Sequence, residues 1–313
     1  RAQVPAAYQI SEEEIQQRLS ALLEHPGSED LLAAVEGAVD QGADPGRIGD
    51  GLVWVSSSLA ASLSRGSRTA QKRLLFRAAM IFETASGDLE KAESCYARIV
   101  ETDAADGPAA AALERVRRRL GKHEALIEML LERRELATSP NERAQALAEI
   151  GRIYKNDLDD ATQALVAFAQ AFAEDPLSDD YADEVERLAG KRAEAWTEAV
   201  QSLVDALGSD QPAEARVALL NRLGAWYSKQ LSRPDLGLPC YQQTIALDPA
   251  NAVALEGMTQ LYRQARQWPE LGMVLTARAD AAATPAEARD FRAQAAELLA
   301  SEMNDAESAR ALF

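Results

Sequence analysis

Two stretches of the chain, 151–176 and 224–249, open on glycine and close on Asp-Pro after the same interval, with few identities between. Tyr154 matches Tyr227, Ala164 matches Gly237, and Phe168 matches Tyr241, each pair 73 residues apart. The register extends further. Ser139-Pro140, Gln211-Pro212 and Thr284-Pro285 recur at intervals of 72 and 73, each followed two residues later by Glu142, Glu214 or Glu287. A small residue recurs as Ala79, Gly151, Gly224 and Ala296, and an aromatic as Tyr96, Phe168, Tyr241 and Phe313. A fixed period with free sequence between its marks is the signature of stacked like units, in which packing sizes are constrained and little else is.

Each unit reads as two helices. Leu147, Ile150, Gly151 and Tyr154 share one helical face, as do Ala164, Phe168, Ala171 and Phe172. The small residue lets the two helices cross closely and the aromatic fills the gap. Ser139 with Glu142, and Thr284 with Glu287, predict capping boxes, with proline at the first helical position. Gln211 is a poor cap, so Asp210 or Ser209 is expected in its place, and Ser67 is expected to begin the earliest such helix. The turn "KNDLDD" starts the second helix on aspartate, which suits the helix dipole, so Asp159-Asp160 and Asp179-Asp180 read as helix starts rather than catalytic pairs. Pro239 falls inside a second helix. It predicts either a kink there or a helix that begins near Gly237–Leu238.

Between the clear units lie stretches 112–135, 181–207 and 254–279, each an apolar helix, a turn, and a second helix with Leu126, Trp196 or Trp268 near its start. These are degenerate copies. The first third is looser. Ser11 with Glu14 predicts a capped helix ending near His25-Pro26, Leu31, Val35 and Ala38 a second, and Ile48, Leu52, Val55, Leu59 and Leu63 a third. No segment supports a sheet.

The pattern resembles the tetratricopeptide repeat, a family with a large, a small and a tyrosine position on its first helix and small, aromatic and small positions on its second. "SGDLEKAESCYARIVETD", 86–103, resembles the family's turn and second helix most closely. The turns here run about one residue longer than the family's, and the clear copies repeat at twice its period of about 34 residues. The resemblance implies an all-α fold, an α-solenoid forming a right-handed superhelix of antiparallel helix pairs. Residues 67–313 would form it, with clear copies near 67–104, 139–176, 211–249 and 284–313, after an N-terminal helical segment, 1–66. The final copy stops at Phe313 with its second helix barely begun, so the chain is expected to be a fragment. Its exposed C-terminal end is a candidate for self-association.

Composition narrows function. The net charge of −17 and pI near 4.7 repel phosphate backbones and anionic membrane surfaces, so nucleic acid is not an expected partner. No apolar run reaches the roughly 20 residues of a membrane span. Cys95, Cys240, His25 and His123 are too scattered for a structural metal site, and no metal or cofactor is expected. The two cysteines occupy equivalent places two units apart, too far for a disulfide in a superhelix. They fit a reducing cytoplasm, though the chain begins at Arg1 and an exported protein is left open.

By the resemblance, residues beside the packing positions of each first helix line a groove. These are Arg73, Phe76, Met80 and Glu83, then Gln145, Ala148, Arg152 and Lys155, then Ala218, Asn221, Ala225 and Ser228. No copy carries the full Lys/Asn/Arg set with which family members clamp a peptide carboxylate. Arg115, Arg117, Arg118, Arg119 and Lys122 form a basic island in an acidic chain. They read either as a dock for an acidic partner or as cations favoured at a helix C-terminus. With no nucleophile–base pair and no phosphate-cradling loop, the chain is expected to be a non-catalytic scaffold binding a protein or peptide. The alternative is the regulatory or targeting arm of a larger enzyme or signalling protein.

Overall fold

The computed structural model describes residues 10–59, 65–208 and 211–303, together with Asp305, Glu307 and Ala309. Among these, every regular element is helical and none is a strand. The expectations for Phe313, for Leu63 and for Ser209 or Asp210 as caps lie outside the described residues. The chain divides into two compact units, Arg1–Leu126 and Ile127–Phe313.

The first unit contains α1 (Glu12–Glu24), α2 (Glu29–Glu36), α3 (Pro45–Leu59), α4 (Arg65–Ile81), α5 (Leu89–Thr102) and α6 (Gly107–Leu120). Helix α7 (His123–Leu136) carries the division between the units. Ser11 caps α1 by accepting from the Glu14 amide, Ser28 caps α2, and Asp88 and Asp106 cap α5 and α6. Ile48, Leu52 and Val55 form the buried stripe that the 3.6-residue period predicts for α3. Helix α4 begins by Arg65, so Ser67 lies inside its first turn rather than capping it. Successive helices pack on one another: α1 on α2 and α3, α3 on α4, α4 on α5, α5 on α6.

The second unit contains α8 (Pro140–Asn156), α9 (Ala161–Glu174), α10 (Asp179–Ala189), α11 (Ala193–Leu207), α12 (Ala213–Ala225), α13 (Pro234–Leu247), α14 (Ala252–Ala265), α15 (Trp268–Ala281) and α16 (Pro285–Ser301). Both predicted capping boxes form, Ser139 with Glu142 and Thr284 with Glu287. Asp160 caps α9, and α10 starts at Asp179, as the helix-start reading of both aspartate pairs requires. Pro212 sits at the N-cap of α12, one position before the first helical residue, and the Gln211 side chain donates to the Ala173 carbonyl at 3.3 Å. Each hairpin packs on its neighbours in sequence, from α8 on α9 through to α15 on α16, so the core is a run of local clusters.

The core obeys one size rule. A Cβ added at Gly151 would stand 2.8 Å from the Phe168 ring, and one at Gly224 would stand 2.6 Å from the ring of Tyr241. Gly257 of α14 presses on the other side of Tyr241, and Gly49 of α3 faces Phe82 in the same way. Aromatic ring and missing side chain are complementary, which is why their spacing persists while identities do not. In the degenerate hairpin α10–α11 tryptophan supplies the bulk: Trp196 lies edge-on at 5.3 Å to Trp226 of the next hairpin, and Phe172 of the preceding one is 6.0 Å from Trp226.

The long turns have a common solution. Leu158 N–H donates to Ile153 and Asp160 N–H to Tyr154, bonds spanning five and six residues. Leu231 to Trp226 and Arg233 to Tyr227 repeat them 73 residues on. The end of α4, Phe82–Ser86, and the end of α12, Trp226–Gln230, widen into a single π-helical turn. The extra residue is thus absorbed by widening the helix, as single-turn π segments do. Each such turn then needs one left-handed residue: Gly87 (φ 74°), Asp159 (φ 52°) and Ser232 (φ 53°), again 72 and 73 apart.

Helix α13 corrects one expectation. It begins at Pro234, not near Gly237, and Pro239 lies in its second turn. The missing N–H forgoes a bond to the carbonyl of Asp235, an exposed residue, where the loss costs less than in the core. The helix is held in register from below. Gly237 crosses α12 so closely that a Cβ there would meet the Gly224 carbonyl oxygen at 2.8 Å and the Ser228 hydroxyl as well.

Candidate functional site

The residues expected to line a groove separate into three kinds. Some are spent on packing. Ala148 is fully buried in the core cluster shared with the hairpins that follow, so it packs and faces no groove. Ser228 donates its hydroxyl to the Gly224 carbonyl at 2.7 Å, directly under the α13 crossing. Asn221 donates to Asn251 at 3.1 Å, bracing the residue that caps α14, while its own Oδ1 is buried without a partner. Arg73 donates to the Pro26 carbonyl at 2.6 Å and pairs with Glu29, tying α4 to the α1–α2 loop.

Others stay at the surface. Gln145 is exposed and bonds Asn141 along α8. Arg152 is exposed and pairs with Glu149 at 2.9 Å. Lys155 reaches α10, donating to Glu184 at 3.1 Å, and Glu184 also holds Arg187. Arg152, Tyr181, Glu184 and Arg187, with Ser178, Asp180, Asp183 and the edge of Phe168, line a groove of about 520 Å³ across α8 and α10. Burial, with the charges of Asp175 and Asp180, pushes the Tyr181 hydroxyl above its ordinary range. The sequence placed a helix at α10 but no groove residue on it, because it belongs to a degenerate copy onto which the packing positions of the clear copies do not map.

The third kind is a junction in the first unit. Phe76 is half-buried and meets the Tyr96 ring edge-on at 5.4 Å, and Met80 is 41% exposed. Next on the same side, Glu83 accepts both Arg115 Nε (2.9 Å) and Nη2 (2.7 Å) and, from Arg119, a third bond at 3.1 Å. Tyr96 Oη stands 3.4 Å from the same carboxylate. The Arg115 fork holds the Glu83 carboxyl below its usual range, outweighing burial. The basic island therefore meets the groove residues of α4 at Glu83. Its other members are also engaged within the unit: Arg117 by Glu93 and the Ala125 carbonyl, Arg118 by Glu114, and Lys122 by Glu90 and Glu93. A second opening of about 1100 Å³ lies between α4, α5 and α6, lined by Arg68, Lys72, Arg73, Arg77 and Arg98 facing Glu101, Asp103 and Asp106.

Cys95 and Cys240 are free and buried, and burial pushes each thiol up to about 11. Among the described residues no histidine, cysteine and carboxylate cluster has the makings of a metal site, and no helix is long and apolar enough to cross a membrane.

Antiparallel helix hairpins, locked by small-residue and aromatic pairs and stacked on their sequence neighbours, define an all-α solenoid of tetratricopeptide-like units. No family model matches the chain, and no curated protein matches it. Among solved structures it is similar to yeast Tom70, at 11% identity over 96% of this chain and 61% of that one, with a TM-score of 0.36. It is also similar to a chain of Naa15/Naa10 bound to HypK-THB, at 14% identity over 96% of this chain and 49% of that one, with a TM-score of 0.35. A third is the TPR2AB domain of yeast Sti1 in its pHSP90 complex, at 16% identity over 78% of this chain and 96% of that one, with a TM-score of 0.29. The chain spans about half the length of the Naa15/Naa10 chain and less than two thirds of Tom70.

Proposed function

We propose that this chain is a non-catalytic scaffold that binds a protein or peptide along the first helices of its hairpins. The groove across α8 and α10 carries the reading. It sets a tyrosine, carboxylates and arginines side by side on two rigid helices, at a volume suited to side chains of a partner. Charges of both signs beside an aromatic suit recognition of a polypeptide, which offers backbone and side-chain groups together. The repeat array is assigned to 67–313, preceded by the helical segment 1–66, and the buried free thiols of Cys95 and Cys240 suit the cytoplasm.

The test is selection from a displayed peptide library against the whole chain, followed by titration of the enriched peptides. Saturable binding that weakens on Arg152→Glu or Asp180→Lys, with an unchanged helical circular dichroism spectrum, is the expected result. No saturable binding by the folded chain, or binding indifferent to substitutions on every first helix, overturns the reading.

A further inference from the structure

The junction at Glu83 has more positive charge than it uses. Two guanidinium groups face one carboxylate. Glu83 is only 7% exposed, whereas Arg115 and Arg119 are 55% and 49% exposed. Arg115 spends Nε and Nη2 on Glu83, and Arg119 spends Nη1. Both arginines are thus about half-exposed; Met80, one turn before Glu83, is exposed too, and Phe76 reaches the same junction through Tyr96. A cationic surplus flanking an exposed thioether and a half-buried ring is unusual on a chain whose net charge is −17. Methionine's polarisable, three-torsion side chain adapts to varied apolar contacts. Arginine's planar fork matches a carboxylate at two points.

We propose that this face of α4 and α6 docks an acidic segment of another protein, with one apolar side chain seated on Met80 and Phe76 and a carboxylate on Arg119 and Arg115. Charge complementarity selects this occupant: the patch sets two guanidinium groups against one carboxylate, a positive surplus on a chain whose net charge is −17. Met80 and Glu83 are three residues apart, about 4.5 Å along the helix axis, so the anchor and the carboxylate of an extended ligand stand about one to three residues apart. Glu83 is the internal competitor. It holds the arginines in place while the face is empty, and it limits affinity by taking three of their N–H donors. The proposal rests on the scaffold reading above and concerns residues of the first unit, none of which line the α8–α10 groove.

The experiment uses the whole chain and a pool of short fluorescein-labelled peptides that carry one leucine and two glutamates at varied spacing. Lysine-for-glutamate and leucine-for-serine versions serve as controls. Anisotropy should show saturable binding of the acidic pool alone. That binding should weaken with added salt, because exposed charges are screened. Arg119→Glu should weaken it by about tenfold or more, since a like charge replaces the fork. Met80→Ser should weaken it without altering its salt dependence. Glu83→Gln, which removes the competitor, should tighten it severalfold. Circular dichroism and thermal melts establish that each variant is folded.

Equal binding by wild type and Arg119→Glu, or equal binding of the lysine pool, overturns the proposal. So does weaker binding to a folded Glu83→Gln. Peptide binding lost with Arg152→Glu but not Arg119→Glu keeps the scaffold reading and overturns this dock. No binding of any peptide class overturns both. Concentration-dependent self-association abolished by Arg119→Glu assigns the face to a second copy instead of a foreign partner.

Discussion

Phe168 packs against the bare backbone of Gly151, its nearest ring carbons 2.8 Å from where a Cβ would stand. Ring and notch are complementary, and either one alone is a defect. Phe168→Ala opens a cavity in the core and is expected to cost about 3–5 kcal/mol, while Gly151→Ala drives a methyl into the ring and costs about 1–3 kcal/mol. Because hairpins in a stack couple to their neighbours, hydrogen exchange should rise first in α8 to α11. Unchanged protection there would contradict the packing described. The double variant should recover part of the loss, as neighbouring sites do not add.

Gly237 makes a sharper case. Its equivalents Ala92 and Ala164 are fully buried alanines, so an alanine at 237 looks conservative by sequence. Here, however, the obstacle is the Gly224 carbonyl oxygen at 2.8 Å together with the Ser228 hydroxyl bonded to it. Backbone cannot rotate away as a ring can. Gly237→Ala should destabilise by about 1–3 kcal/mol, and Ser228→Ala should relieve part of that cost. Chemical denaturation of the single and double variants measures both.

Acid should loosen the first unit through Glu83. The Arg115 hydrogen bonds depress its folded value below the ordinary one for glutamate. A depressed carboxylate contributes stability that is fully present above its unfolded value of about 4.3 and lost as pH falls through the lower folded value. Glu93 acts in the same direction: burial raises its carboxyl, but Arg117 and Lys122 outweigh that and the net shift is downward. Stability should therefore fall in acid below about pH 4, and Glu83→Gln should flatten that part of the profile. A profile of the same slope in the variant would remove Glu83 from the account.

Both thiols should resist modification in the folded state. Cys95 and Cys240 are buried, and burial moves their ionisation up to about 11, so almost no thiolate exists near neutrality. Titration with a disulfide reagent should find neither thiol fast in native protein and both fast in denaturant. Prompt labelling of a native thiol would mean that its hairpin opens readily.

The sequence by itself determined the hairpins. Capping boxes at Ser139 and Thr284, the aspartate start of α9, and the glycine–aromatic pairs of Gly151 with Phe168 and Gly224 with Tyr241 act within one hairpin, over fewer than about 30 residues. Local rules read such features because both partners carry a residue-type signature. Tertiary structure alone decided what the polar residues do. Arg115 and Arg119 read as an acidic-partner dock or as cations at a helix C-terminus until the fold set Glu83 of the preceding hairpin against them, and Ser228 read as a groove residue until Gly237 crossed above it. Nor did composition distinguish the start of α13 at Pro234 from a start near Gly237, since proline is acceptable at either and only the crossing with α12 fixes the register. The difference is physical. Apolar side chains reveal their burial through periodicity, whereas a charge on a helix surface finds its partner from another element, whose approach no local pattern records.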